Sequence, residues 1–139
     1  MKLPLISKIF EDAEKIKSKK DRVKFLRSHH PNKTMLKLLK YTFDPNIKFA
    51  LPEGRPPYKE NDIIEEDMSG LYQEDRRFYL FLEGGNTNLH PIRRETLFIQ
   101  LLESVNPKEA ELMLAVKDKK LPYKGLTKEV VKEAFPNLL

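Results

Sequence analysis

Proline breaks the apolar periodicity of this chain before any one helix can grow long. Pro4, Pro31, Pro45, Pro91, Pro107 and Pro136 each stand at the edge of a segment whose apolar residues recur every three or four positions. Proline has no N–H to donate and restricts the residue before it, so it starts or stops a helix far more readily than it continues one. The chain is therefore predicted to be all-α, a compact single domain over residues 1–139 built from about six to seven short helices with tight joints. Pro52, Gly54, Pro56 and Pro57 fall so close together that residues 52–61 read as a Pro-rich internal loop, kept basic by Arg55 and Lys59.

The spacing predicts a first helix from Pro4 to about Ser18, with Leu5, Ile6, Ile9, Phe10, Ala13 and Ile16 as its apolar stripe. A second runs from about Lys20 to Ser28 on Val23, Phe25 and Leu26. Asn32 is a good N-cap for a third, Lys33 to about Phe43, which would bury Met35, Leu36, Leu38, Leu39 and Phe43 and group Lys33, Lys37 and Lys40 along one side. A fourth is expected from about Ser69 to Leu82, with Leu71, Phe78, Leu80 and Leu82 inside and core packing accounting for Tyr72 and Tyr79. After the Gly84-Gly85-Asn86 turn, Asn88 or His90 caps a helix with Pro91 in its first turn. Asn106-Pro107-Lys108-Glu109 reads as a capping box, with Glu109 able to reach back. Thr127 caps a last short helix on Val130, Val131, Ala134 and Phe135, and Pro136 ends it.

Charge is laid out unevenly over this scaffold. Residues 1–40 carry 12 Lys/Arg against 4 Asp/Glu, whereas residues 41–100 carry 7 against 11. A net charge of +5 concentrated on amphipathic segments suits a surface offered to a polyanion. Cysteine is absent, which leaves no disulfide framework, thiolate nucleophile or cysteine metal site and is compatible with a reducing compartment. Leu3-Pro4-Leu5-Ile6 is too short for the apolar core of a signal peptide, and Glu11, Asp12 and Glu14 follow at once. No stretch approaches the roughly 20 apolar residues that span a bilayer. The expectation is a soluble monomer of the cytoplasm, with no membrane partner.

Chemistry is hard to find. His29 and His30 are adjacent, so on a helix they point about 100° apart and cannot make an i, i+4 metal pair; His90 is isolated. Glu65, Glu66, Asp67, Glu74 and Asp75 read as a solvated acidic face rather than a magnesium site. Gly84-Gly85 lacks the Lys-Ser/Thr of a phosphate loop, and Ser and Thr have no base at a readable spacing. No enzyme, metal or cofactor is expected. The one legible binding segment is Lys117 to Thr127. It sets Lys119, Lys120 and Lys124 beside the cap of the last helix, with Gly125 admitting close backbone approach and Thr127 and Lys128 at a positive helix end, where a phosphate would be held.

Read end to end, the chain resembles the N-terminal DNA-binding domain of ATP-dependent DNA ligases, especially the small version in T-even-like phage ligases. The likeness is carried by Leu112 to Val116, Lys119-Lys120-Leu121, Gly125-Leu126-Thr127, Val130-Val131 and Phe135-Pro136-Asn137-Leu138, with a second match over Leu36-Leu38-Leu39-Tyr41-Thr42-Phe43. In ligases that domain lies across the minor groove of nicked duplex DNA and grips phosphates on both sides of the break. The resemblance implies a phosphate clamp at Gly125, Leu126, Thr127 and Lys128, with Lys37, Lys40, Lys119 and Lys120 as supporting contacts. The Lys-x-Asp-Gly nucleophile motif of ligases is absent from this sequence. A stand-alone, non-catalytic relative is thus implied, a phage accessory protein of the host cytoplasm that binds duplex DNA without sequence preference and favours nicks. The alternative is a module that docks on a replication or transcription protein through the acidic 60–75 region, or an inhibitor directed at a host protein.

Overall fold

The computed structural model describes residues 4–60 and 70–139, and among these the chain is all-α, a compact single domain. Its α-helices are α1 (Ile6–Lys15), α2 (Lys19–Ser28), α3 (Lys33–Phe43), α4 (Pro91–Ser104), α5 (Pro107–Lys117) and α6 (Lys128–Ala134), with a 3-10 helix, Leu71–Phe81, between α3 and α4. The acidic residues Glu65, Glu66 and Asp67, and the Ser69 start expected for the fourth helix, lie outside the described residues. No described helix is long and apolar enough to cross a membrane.

Helix α5 is the central post, packed on α1, α3 and α4. It is buried almost all round, through Ala110, Leu112, Met113, Leu114 and Val116 and also through Glu109 and Lys117. A helix wet only along the narrow line of Lys108, Glu111 and Ala115 belongs in the middle of a bundle. Ile6, Ile9, Phe10 and Ala13 of α1, Met35, Leu38 and Leu39 of α3, and Phe98, Leu101 and Leu102 of α4 complete the core. Aromatic edges lock it, with Phe81 against Phe98 at 5.2 Å and Phe10 against Tyr123 at 5.5 Å between ring centroids. Burying each such ring contributes roughly 1.5–3 kcal/mol.

Three local expectations change. The first helix stops at Lys15, with Ile16 extended, because the Arg22 side chain takes the carbonyls of Ala13 and Ile16 and closes the helix there. The Ser69–Leu82 helix winds instead as the 3-10 helix, so residues three apart share a side: Phe78 and Phe81 are buried, Leu80 and Leu82 only half so, and Tyr79 faces solvent. The third concerns Glu109. Asn106 caps α5 by accepting from the Lys108 amide at 2.9 Å, but Glu109 does not reach back to complete a capping box.

The Glu109 carboxylate is fully buried and turned toward two other helices. Its Oε2 accepts the Ser7 amide at 2.7 Å, in the first turn of α1, and its Oε1 accepts the Leu71 amide at 3.1 Å, at the start of the 3-10 helix. Those are the two helices without a side-chain cap of their own, since Leu5 and Gly70 stand at their N-cap positions. One anion therefore answers the free amides and positive ends of both. Gly70 makes room for it: a Cβ there would lie 2.9 Å from Glu109 Oε1 and 2.7 Å from Leu5 Cδ2.

Replacing Glu109→Gln removes the charge and turns an amide N–H₂ toward one of those donors. Stability is expected to fall by about 2–4 kcal/mol, read as a lower urea midpoint, with the Ser7 and Leu71 amides losing protection in hydrogen exchange. An unchanged midpoint would show that the two helices are capped by other means.

Candidate nucleic-acid interface

The lysines and arginines divide into those that hold the fold together and those left on its surface. Lys117 is buried at the end of α5; its ammonium donates to the Pro52 carbonyl at 2.9 Å and to Asp118, which in turn accepts the Gly54 amide. With Lys59 N–H on Glu103 and Arg55 paired to Glu111 at 2.6 Å, these contacts order the proline-rich loop as a strap. Beneath it, a groove of about 350 Å³ faces α4 around the exposed Ile92. Arg94, also buried, donates to the carbonyls of Leu80, Asn86 and Leu89 and holds the turn before α4. His90 caps α4, accepting the Ile92 amide on Nδ1 at 3.1 Å.

Three residues expected at the phosphate site belong partly to this internal set. Lys37 pairs with Asp75, and that hydrogen bond lifts its ammonium above the ordinary lysine range. Lys40 reaches the Leu138 carbonyl at 2.8 Å and Asp44 at 3.5 Å, so α3 is tied to the C-terminal residues rather than presenting a row of free ammonium groups. Lys119 donates to the Asp44 carbonyl at 2.6 Å, and burial pulls its ammonium below the usual range. Its backbone is left-handed, φ 58°, because it ends α5 in a Schellman turn: Lys119 N–H bonds the Val116 carbonyl and Lys120 N–H the Ala115 carbonyl. Of the acidic stretch, Glu60 faces Arg55, Glu74 faces Arg77 and Asp75 holds Lys37 and Thr34.

Lys124, Gly125, Thr127 and Lys128 belong to α6 and the turn before it, and α6 packs on α2 more extensively than any other pair of described helices pack. Arg27 fastens the far end of α6, donating to Glu133 O at 2.7 Å and Ala134 O at 3.3 Å, and Lys19 bridges Glu129 and Glu133. Thr127 caps α6, accepting the Val130 amide at 3.3 Å. Lys124, Lys128 and Lys132 are exposed along this side, as are Lys15, Lys17, Lys20 and Lys24. Lys120 is exposed too, in a loose pair with Glu53 at 3.7 Å. Residues 15–28 hold 7 Lys/Arg against a single acid, Asp21. The sequence points to the turn before α6 with support from Lys37, Lys40, Lys119 and Lys120; the basic excess of the first 40 residues is the signal for α2, and the α2–α6 packing joins it to that turn.

Gly125 is where they meet. Its φ is +83°, and a Cβ built on it would lie 2.6 Å from the Arg22 guanidinium carbon, so the guanidinium rests flat on the bare glycine backbone. The close approach that this glycine permits is made by Arg22 of the chain itself. Tyr123, packed on Phe10 close by, has its phenol pushed up by burial and by Glu11, Glu109 and Glu14.

Gly125→Ala should therefore cost about 1–2 kcal/mol from backbone strain alone, and more if the guanidinium cannot shift. A thermal melt measures it, and a neutral effect would mean that the turn relaxes to negative φ.

No curated protein and no solved structure significantly matches the chain. Residues 9–123, well over half its length, match a family of unknown function, DUF6433, and the chain belongs to that family.

Proposed function

We propose that this protein binds duplex DNA through its backbone phosphates, without catalysis and largely without regard to base sequence. The observation that carries the reading is the packing of α2 on α6, which brings two lysine-rich elements together, with Lys15, Lys17, Lys20 and Lys24 exposed on and before α2 and Lys124, Lys128 and Lys132 exposed on and before α6. Of the acids there, Glu129 and Glu133 face Lys19 and Glu14 accepts the Lys124 amide at 3.2 Å, which leaves Asp21 as the one acid within residues 15–28. Elsewhere Lys37, Lys40, Arg55, Arg94, Lys117 and Lys119 serve internal partners, whereas residues 15–28 carry the densest basic run of the sequence. Lysines of this kind touch phosphates and position a duplex; they carry no base code. The likeness to the ligase DNA-binding domain supports the same face and adds a preference for nicks. It also supports Thr127 and Lys128 as the clamp with Lys124 beside it, whereas the open side of Gly125 is taken by Arg22 and Lys120 stands by Glu53 of the strap.

Fluorescence polarisation against intact duplex, nicked duplex, single strand and double-stranded RNA tests this. With about five phosphates neutralised, log K should fall against log salt with a slope near −4.5, a loss of several hundred-fold between about 50 and 200 mM. The nicked duplex should bind tightest. Salt-independent binding, or none to any duplex, would refute the reading.

A further inference from the structure

The geometry points to Arg22 as the anchoring phosphate contact of this face, a fixed guanidinium fork among exposed lysines; this rests on the DNA-binding reading above. Arg22 lies in the first turns of α2, and its Nε donates to Ala13 O at 3.0 Å while Nη2 donates to Ile16 O. Both acceptors are carbonyls at the end of α1, where the helix dipole is negative. One edge of the fork is thus spent and one flat face is covered by Gly125. What remains is the Nη1 side, which makes no hydrogen bond to a described residue and is not sealed from solvent. No described carboxylate pairs with Arg22, although Glu14 and Asp21 are close in sequence and Glu129 and Glu133 face Lys19 nearby.

That combination is unusual for a surface arginine. The side chain has lost its rotamer freedom to the fold, keeps its full charge, and has donors left over in the planar geometry that matches two phosphate oxygens. The exposed lysines of α2 and α6 are long and make few fixed contacts, so each gives up side-chain entropy on binding; Arg22 has already done so. Lys124 and Lys128, exposed on either side of Gly125 in the sequence, add charge without fixing geometry. The contact therefore sets where a phosphate rests, and the lysines set how strongly the duplex is drawn in.

The test pairs two measurements on the intact chain. In the first, Arg22→Lys keeps the charge and loses the fork. Duplex affinity should drop about tenfold with the salt slope unchanged, whereas Arg22→Gln should also lower the slope by about 0.9. In the second, the guanidinium Nη resonances of the wild-type protein are followed by NMR during titration with a short duplex. Arg22 should shift and show hindered rotation, a readout that does not depend on any variant folding. If the duplex binds while the Arg22 signals stay put and Arg22→Lys binds like wild type, the assignment fails and DNA binding stands. If the wild-type protein binds no duplex at all, both fall together.

Discussion

Glu109 is the interaction on which the rest of the structure depends. Five of the helices carry their own N-terminal caps, in Ser18, Asn32, His90, Asn106 and Thr127. The remaining two, α1 and the 3-10 helix, end in Leu5 and Gly70 and take their cap from one buried carboxylate on α5. A buried anion is unfavourable unless its oxygens are fully answered, so this one forces two helix ends to converge on the central post. Asn32 reinforces the arrangement from α3. Its Oδ1 caps its own helix, and its amide donates to the Tyr72 hydroxyl, which donates to the Pro4 carbonyl. The start of α1, the start of the 3-10 helix and the start of α3 are thus one polar joint.

With α1 fixed, the position of α2 follows. Arg22 closes α1 from α2 and lies on Gly125, and Arg27 closes α6 from the same helix. Of the two, only Arg27 crosses the α2–α6 seam by hydrogen bonds, and both arginines bond backbone carbonyls, which neutralise no charge. This explains how a tightly packed seam remains strongly basic. Around α3, α5 and the strap the cations meet carboxylates as well, Lys37 with Asp75, Lys117 with Asp118 and Arg55 with Glu111, and the surface there is closer to balanced.

Much of the architecture was legible in the sequence because it is local. Asn32, Pro91, Asn106-Pro107 and Thr127 start helices within a residue of where the spacing puts them, and α3 runs over Lys33–Phe43 as expected. What was not legible depends on contacts distant in the chain. Glu109 stands at the right place for a capping box, and only its neighbours in space, Ser7 and Leu71, show that it caps elsewhere. Lys37, Lys40 and Lys119 look like solvent-facing cations until Asp75, Leu138 and Asp44 are brought to them. The 3-10 winding of Leu71–Phe81 shares its apolar residues with an α-helix and differs only in which of them face inward. Gly125 in sequence suggests close backbone approach to a ligand, and the group packed on it is an arginine from over 100 residues earlier.

The central claim is that the position of the basic residues decides what the molecule holds, and not their number. The most direct measurement compares two charge-matched quadruple variants for duplex binding at low salt. One carries Lys17→Glu, Lys20→Glu, Lys24→Glu and Lys128→Glu on the α2–α6 face; the other carries Lys59→Glu, Arg76→Glu, Arg77→Glu and Arg93→Glu on the strap, the 3-10 helix and α4. Both have the same net charge. The account predicts that the first abolishes binding and the second leaves most of it, whereas equal losses in the two would show that only overall charge had been at work.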